Sequence, residues 1–351
     1  MKFSTFHVMR WNRAQTHSEA YAYQLAFIRS AEELGFYGVW PAEHHFRDYG
    51  ICPSVLGFCS YVAAVTTRVR IGTAVVVVPF YNPLRLAEEV AQLDILSGGR
   101  LDLGLGRGYQ GVEFDGFQIS MTDSRERFRE NLEIMKLGWR EGRFSYDGRF
   151  TKVENVEVLP KPVQRPHPPI WMGATSPATA EIAGALGHPI MSDPAQIFEQ
   201  SAEVVLRWRR AAAAAGHDPA QELIALRICH VAETDERAYG DIEALPKVDV
   251  NTGSAPIDRT GQWVPGYEFY RDVGWQQRTT MRDPRTNRQL LIGSPETVSR
   301  RVQEHLDAGY THIICHFDFG NRMPPQMLRH SMELFTARVA PQFTSAASAS
   351  G

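Results

Sequence analysis

The chain has 351 residues, of which 43% are hydrophobic and 22% are charged. This composition is ordinary for a globular protein, and it excludes both a disordered chain and a fibrous repeat. Because 37 basic residues stand against 40 acidic ones, for a net charge of −3, and no basic stripe is present, the sequence argues against a nucleic-acid partner.

Short apolar runs alternate with helical patterns along most of the chain. The run from Val69 to Val78 is rich in valine, which is typical of a strand buried on both faces of a parallel sheet. Helix starts are indicated at Asn82-Pro83, Ser176-Pro177 and Ser294-Pro295, where a capping side chain precedes a first-turn proline. The predicted strands are Phe3–Met9, Phe36–Pro41, Val69–Val78, Leu101–Leu105, Pro169–Met172, His188–Met191, Leu223–Ala232 and Thr311–His316. The predicted helices cover residues 18–34, 54–65, 83–97, 123–142, 177–187, 195–215 and 295–309.

This alternation predicts an α/β protein with a parallel sheet and right-handed crossovers. About eight strands are present and no linker divides the chain into halves, so the prediction is a (β/α)8 TIM barrel. We expect a single domain over residues 1–343, a turn-rich surface excursion at 143–168 and a frayed tail at 344–351. Residues 244–290 fit no strand–helix unit, and their aromatic content favours a long insertion that forms an ordered lid. These aromatic residues are Trp263, Tyr267, Phe269, Tyr270 and Trp275.

Two properties of the sequence indicate where the protein works. The apolar run at 71–84 has 14 residues, fewer than the ~20 that a helix needs to cross a bilayer, and the start of the chain has no signal-peptide core. The cysteines form no C-x-x-C pair and are interpreted as reduced thiols. We therefore expect a cytoplasmic protein without a membrane partner. The cysteines are Cys52, Cys59, Cys229 and Cys315.

A glycine-rich loop follows the strand at Leu101–Leu105. Residues 106–111 match G-x-G-x-x-G, but a dinucleotide site needs a helix that begins inside the motif, and no helix is predicted before residue 123. A different interpretation makes Arg107 the functional residue, since a guanidinium and backbone N–H groups can bind one phosphate together. The alternative is a tight turn that carries a solvated arginine.

Two further segments are candidates for chemistry. His44 and His45 follow the second strand, and a histidine at the C-terminal end of a barrel strand can serve as acid or base near neutral pH, although a lone histidine is more often a packing residue. Adjacent histidines point to opposite sides, and His312 and His316 are too far apart on their strand to chelate, so no metal site is predicted. Ser176 either caps its helix only or also helps to bind a phosphate at the helix N-terminus.

A set of motifs in fixed order resembles the bacterial luciferase-like, flavin-dependent monooxygenases, a (β/α)8 barrel family. The resemblance covers most of residues 1–240 and resumes at 293–297. The matching segments are Glu43-His44-His45-Phe46, Gly72-Thr73-Ala74-Val75, Asn82-Pro83-Leu84-Arg85, Ser97-Gly98-Gly99-Arg100, Gly104-Leu105-Gly106-Arg107-Gly108, Ser124-Arg125, Ala174-Thr175-Ser176 and Gly293-Ser294-Pro295-Glu296-Thr297.

The resemblance implies an FMN site at the C-terminal mouth of the barrel and a catalytic role for His44. It implies that the phosphate is held by Arg107, the backbone at Tyr109, Arg125, Ser176 and Thr179. It implies that Glu43, Ala74 and Val75 lie along the isoalloxazine, with a cis peptide between Ala74 and Val75. It implies that Gly173, Ala174 and Thr175 line the ribityl side.

The resemblance also implies a function. Reduced FMN and O2 would form a C4a-hydroperoxide that oxygenates a small organic molecule such as an aldehyde or ketone, with FMNH2 supplied by a separate reductase. A homodimer through the helices near 54–65 and 83–97 is expected. Two alternatives stay open, namely a hydride-transfer enzyme that uses the deazaflavin F420 and a flavin-binding protein without catalysis.

Overall fold

The computed structural model describes residues 1–193, 197–246, 256–257, 261–272 and 287–344, and its centre is a closed parallel β-barrel. In chain order, the described strands are β1 (Lys2–His7), β2 (Gly38–Pro41), β3 (Arg70–Gly72), β4 (Val76–Val77), β5 (Leu101–Gly106), β6 (Phe144–Asp147), β7 (Lys152–Val156), β8 (Ile170–Gly173), β9 (Ile190–Ser192), β10 (Ile224–Val231), β11 (Leu291–Gly293) and β12 (His312–His316). The described α-helices are α1 (His17–Glu33), α2 (Val55–Val65), α3 (Pro83–Leu96), α4 (Gly111–Phe117), α5 (Ser124–Gly138), α6 (Pro177–Ala185), α7 (Phe198–Ala214), α8 (Asp235–Glu243), α9 (Glu268–Asp272), α10 (Pro295–Asp307) and α11 (Pro325–Leu334).

Eight parallel strands form the barrel in the order β1–β2–β3–β5–β8–β9–β10–β12, and β12 returns to β1. β4 extends the line of β3 beside β5, and β11 pairs with the end of β10. The predicted (β/α)8 TIM barrel is therefore confirmed. Since all eight strands run in one direction, their C-terminal ends open onto a single mouth, which is where such barrels place their sites.

The inside of the barrel is filled by alternate strand residues, here called the interior cluster. Because successive side chains of a strand point to opposite faces, residues two apart share the interior. Tyr49 and Ala74 pack on this cluster from the mouth side and are partly exposed. The members of the interior cluster are Phe6, Val8, Trp40, Ala42, Trp171, Met191, Ile224, Leu226 and Ile314.

Side-chain caps place the helices that follow the strands. The predicted caps Asn82, Ser176 and Ser294 each accept a hydrogen bond from the first turn of α3, α6 and α10. All four cysteines are free and buried; the sequence predicted reduced thiols but not their burial. No helix in the described part of the chain is long and apolar enough to cross a bilayer.

Two predictions of local structure were wrong, and one was incomplete. The run Val69–Val78 is two short strands rather than one, and between them the Ala74–Val75 peptide is cis. The excursion at 143–168 contains an antiparallel hairpin of β6 and β7. The two strands are short and polar and lie outside the core, so the sequence pattern did not reveal them. A helix, α4, begins at Gly111, where two glycines and a seven-residue length weaken the helical pattern.

Other elements were not predicted or lie elsewhere. Strand β11 and helices α8 and α11 were absent from the sequence interpretation. Within the expected insertion at 244–290, the structure describes residues 244–246, 256–257, 261–272 and 287–290, so Trp275 lies outside the described residues. The expected tail beyond residue 344 does so as well.

The fit of Gly72 against Trp40 tests how tightly the barrel is packed. A Cβ at Gly72 would lie 2.0 Å from Trp40 Cδ2, and Trp40 is fully buried. We expect Gly72→Ala to destabilise the protein by about 1–3 kcal/mol, measured by urea denaturation, because a packed core cannot shift a tryptophan freely.

Gly240 in α8 is the matched control. A Cβ there meets no atom within 4 Å, and the same substitution should stabilise the helix by about 0.5–1 kcal/mol. An unchanged urea midpoint for Gly72→Ala would contradict the packing argument.

Candidate active site

His44 lies at the mouth, three residues beyond the end of β2, and a carboxylate fixes its ring. Its Nδ1 is 3.0 Å from Glu113 Oε1 and 2.9 Å from the Gln110 amide nitrogen, and its ring meets the Tyr49 ring edge-on at 4.7 Å. The other ring nitrogen, Nε2, has no hydrogen-bond partner among the described residues, and the side chain is 12% exposed. A carboxylate that accepts from Nδ1 leaves Nε2 to meet a ligand in the mouth.

The same Glu113 oxygen binds both the His44 ring and the backbone of His45. This oxygen, Oε1, accepts the His45 backbone N–H at 3.0 Å, and the residue is 1% exposed. Glu113 and Gln110 both belong to the start of α4, so the helix that sequence reasoning missed carries the partners of the predicted catalytic histidine. The three-residue spacing of Gln110 and Glu113 was the signal that could have revealed them.

Glu43 and His45 form a second pair, turned away from the mouth. His45 Nε2 lies 2.9 Å from Glu43 Oε1, while Glu43 Oε2 accepts from the Val77 N–H at 3.1 Å and the Tyr81 hydroxyl at 2.9 Å. Burial raises the pKa of Glu43, and the bond from His45 acts against this shift. Glu43 is 2% exposed, and its carboxylate supports β4 through the Val77 N–H.

A strip of small residues lies above Glu43. Ala74 and Val75, joined by the cis peptide that the resemblance implied, are partly exposed. On the neighbouring strand β5, a Cβ at Gly106 would come within 2.4 Å of Val75 Cγ2. The Val75 side chain therefore fills the space over Gly106, and a flat group at this strip would lie against Ala74 and Val75.

Arg107 and Arg125 converge on one loop residue, Gly266. Arg107 Nη2 donates to the Gly266 carbonyl at 3.0 Å, and a Cβ at Gly266 would lie 3.9 Å from Arg125 Nη2. The Arg107 guanidinium also stacks on the Tyr267 ring, 3.8 Å from its centre. Two cations that meet at one point fit a phosphate dianion.

Residues 261–272, the lid segment, close this side of the mouth. The Tyr267 hydroxyl donates to the Gly108 carbonyl at 2.9 Å and lies 3.0 Å from Ser124 Oγ. Burial is the main cause that raises the pKa of Tyr267 to about 12. Because Tyr267 is 1% exposed, it is a fixed part of the wall around Arg107.

Tyr270 links the lid segment to the opposite wall. Its hydroxyl lies 3.0 Å from Thr175 Oγ1, and its ring is stacked with Tyr109 at 5.8 Å. Sequence reasoning placed Tyr267 and Tyr270 in a lid but not in the site. Their three-residue spacing within an aromatic run is the signal that they share one face.

The predicted phosphate residues of α6 lie at its N-terminus. Ser176 Oγ accepts from the Thr179 N–H at 3.2 Å and contacts the Thr179 hydroxyl at 2.9 Å, so Ser176 is a helix cap. Gly173 and Thr175, which precede it at the end of β8, are partly exposed, whereas Ala174 is buried. Free N–H groups and hydroxyls at a helix N-terminus also suit an anion.

The predicted site residues thus come together at the ends of β2, β3, β5 and β8. The strip beside Gly106, the two arginines and the α6 N-terminus fit a flat ring system that carries a phosphate. In the described part of the chain, no group of three or more His, Cys, Asp or Glu side chains could hold a metal ion.

Comparisons with known proteins agree with this geometry. Residues 1–312 match the family model described as luciferase-like monooxygenase. A relative from Acinetobacter baylyi, the oxygenase component of a flavin-dependent trigonelline monooxygenase, is 31% identical over 98% of this chain and 96% of its own. The crystal structure of the monooxygenase RslO1 from Streptomyces bottropensis superimposes with a TM-score of 0.80 at 31% identity and covers 98% of this chain and 100% of its own. An F420-dependent secondary alcohol dehydrogenase shares the fold, with a TM-score of 0.70 at 18% identity and coverage of 97% and 98%.

Arg107→Ala tests whether the two arginines bind a phosphate. We expect FMN affinity to fall by about ten- to a hundredfold, since a charge-assisted contact contributes ~1.5–3 kcal/mol, while riboflavin affinity changes much less. Flavin fluorescence titration measures both ligands on the same preparation.

The matched control is Arg85→Ala, which removes an exposed arginine on α3 that pairs with Glu89. It should leave both affinities unchanged. An equal loss of FMN and riboflavin affinity in Arg107→Ala would show that Arg107 does not touch the phosphate.

Proposed function

The chain belongs to the luciferase-like monooxygenase family, and on that premise we propose that it is the oxygenase component of an FMN-dependent, two-component monooxygenase. Its co-substrates are FMNH2 from a separate reductase, O2 and a small organic molecule such as an aldehyde or ketone. When bound, reduced FMN supplies the electrons with which one oxygen atom enters the substrate and the other leaves as water. The observation that carries the proposal is that His44 and the two-arginine cradle share one mouth, because Gln110 and Glu113 directly follow the Arg107 loop.

His44 supplies the group that moves a proton. Nδ1 lies within reach of both the Glu113 carboxylate and the Gln110 amide, and donation to the carboxylate, the stronger acceptor, leaves the lone pair of the neutral ring on Nε2. A proton taken up at Nε2 is stabilised by the nearby carboxylate, as in other carboxylate–histidine pairs. His44 is therefore the base or hydrogen-bond donor toward the substrate.

The lid segment supplies a dry environment. Val264, Tyr267 and Tyr270 are buried together with Phe114 and Met121. An apolar wall of this kind excludes water from a reactive site. This favours an oxygenating enzyme over a protein that only stores a flavin, because a store needs neither the wall nor the His44–Glu113 pair.

Two further properties belong to the proposal. Exposed apolar side chains on the neighbouring helices α2 and α3 support a homodimer through these helices, namely Tyr61, Ile95 and Leu96. Four free thiols support a cytoplasmic location. The barrel carries the FMN site and the lid as a single domain over residues 1–343.

An anaerobic titration tests the cofactor. The protein should bind FMN and FMNH2 and show no comparable affinity for F420. After oxygen is admitted, the FMNH2 complex should convert a member of an aldehyde and ketone panel to an oxygenated product. Tight binding of F420 alone would support the hydride-transfer alternative, and flavin binding without any product from the panel would favour the non-catalytic one.

His44→Ala tests the proposed base. We expect FMN to bind nearly as tightly as in the wild type, and turnover on the best panel substrate to fall at least ~100-fold, the low end of general acid–base contributions. Added imidazole should restore part of the rate, because it can occupy the space of the lost ring.

Glu113→Gln is the companion variant. It keeps an oxygen that can accept from Nδ1 and from the His45 N–H but removes the charge, so the rate loss should be smaller than in His44→Ala. His45 is a poor control, since its removal would leave Oε1 of the buried Glu43 without its hydrogen-bond partner. An unchanged rate in His44→Ala would remove the assignment.

A further inference from the structure

The barrel contains a second histidine that faces the mouth, His316 at the end of β12. It is level with Phe6 of β1, whose register partner on β2 is Trp40, and both belong to the interior cluster. The His316 ring meets the Phe6 ring edge-on at 5.1 Å. Because register partners in a parallel sheet point to the same face, His316 points into the barrel.

His316 keeps part of its surface exposed at the mouth end of the barrel. His316 is the one residue of β12 that is not fully buried. Ile228, its direct register partner, is the one residue of β10 that is not fully buried. Ile228 has the same parity as Ile224 and Leu226 of the interior cluster, so its exposed surface faces inward. The partly exposed side chains of His316 and Ile228 are therefore neighbours at the mouth end of the barrel.

A buried carboxylate orients the His316 ring. Asp318 Oδ1 lies 2.8 Å from His316 Nε2, and Asp318 is fully buried. Gln24 and the Gly320 N–H also donate to this carboxylate. Burial acts to raise the pKa of Asp318, but the hydrogen bonds from His316, Gln24 and Gly320 outweigh it and lower that pKa, so the group is a carboxylate.

The ionised Asp318 decides which nitrogen of His316 is free. The Gly320 N–H is 3.1 Å from Nε2 and 3.0 Å from Asp318 Oδ1, and the carboxylate is the stronger acceptor. The proton of the ring therefore sits on Nε2, directed at Asp318. Nδ1 carries the lone pair, has no partner among the described residues and belongs to a side chain that is 14% exposed.

His7, on the neighbouring strand, does not form an ion pair with Asp318. It is bonded to Thr5 and Gln24, and burial lowers its pKa to about 4, so it is neutral at physiological pH. His316 is thus the imidazole that Asp318 orients toward the mouth.

We propose that His316, oriented by Asp318, is the substrate-recognition residue of the site and that the substrate is an apolar, ring-containing molecule with a hydroxyl group that donates to His316 Nδ1. Phe6 and Ile228 beside His316 supply apolar contact for such a body, and Tyr49 packs on the same interior cluster as Phe6. This inference deepens the proposed function and rests on it for the reaction, but the recognition itself needs no flavin.

Binding of a matched pair of compounds to the flavin-free protein tests the proposal. 4-Ethylphenol and 4-ethylanisole differ by the hydroxyl proton and a methyl group. We expect calorimetry to show about tenfold tighter binding of the phenol, the effect of one hydrogen bond. His316→Phe, which keeps a ring of similar shape, should abolish this preference, and Asp318→Asn should weaken it.

His330→Leu is the matched control, since this histidine pairs with Glu233 on the surface. It should keep the preference. Nitrogen-15 NMR of the wild-type ring is a second measurement that does not depend on a variant's folding, and it should show the His316 proton on Nε2. A proton on Nδ1, equal binding of the two compounds, no binding of either, or an unchanged preference in His316→Phe would overturn the proposal.

These outcomes are separate from those of the cofactor titration. If the phenol preference depends on His316 but FMN does not bind, the recognition site stands and the proposed reaction fails. If FMN binds and supports oxygenation while the preference is absent, the reaction stands and the recognition site fails.

Discussion

The barrel closes through a narrow seam between β9 and β10, and the shape of the mouth depends on it. The seam contains two register pairs, Ile224 with Met191 and Ala225 with Ser192. Arg227, fully buried on β10, spans it by donating to Ser192 Oγ at 3.0 Å and to the Asp193 carbonyl at 3.2 Å. Burial lowers the pKa of Arg227, yet a guanidinium stays charged in a protein, so each donor needs an acceptor. The seam supplies acceptors for Nη1, while His305 and Ser201 accept from Nε and Nη2, and the short ladder gains charge-assisted bonds in return.

Closure has a chemical consequence, because it brings three carboxylate–histidine pairs to the same end of the barrel. His45 with Glu43 is closed off by Val77 and Tyr81, whereas His44 and His316 keep one nitrogen toward the mouth. The three histidines thus share one kind of partner and differ in whether a ring nitrogen stays accessible. The enclosed pair supports the chain at Val77, and the two open pairs offer lone pairs to a ligand from different strands.

Periodicity and capping were sufficient to predict the barrel. The long helices and their caps at Asn82, Ser176 and Ser294 are local features, so the chain near each of them contains the information. The errors came where tertiary contacts decide. The seven-residue helix α4 begins at Gly111. It is stabilised by the hydrogen bond that Glu113 accepts from the His45 N–H rather than by helical propensity. The role of Tyr267 could not be predicted because it depends on a contact with Arg107 across 160 positions of sequence, for which spacing carries no signal.

The lid segment connects phosphate binding to the dryness of the mouth. Arg107 donates a hydrogen bond to the Gly266 carbonyl, and its guanidinium stacks on the Tyr267 ring. The Tyr267 hydroxyl in turn contacts the Gly108 carbonyl and Ser124. A phosphate that reaches Arg107 would exchange the Gly266 bond for a charged one, at a cost of about 1 kcal/mol for the bond given up. It need not disturb the stack or the hydroxyl contacts. The wall therefore stays in place as the anion arrives, and the two proposed roles, phosphate binding and exclusion of water, depend on the same residues.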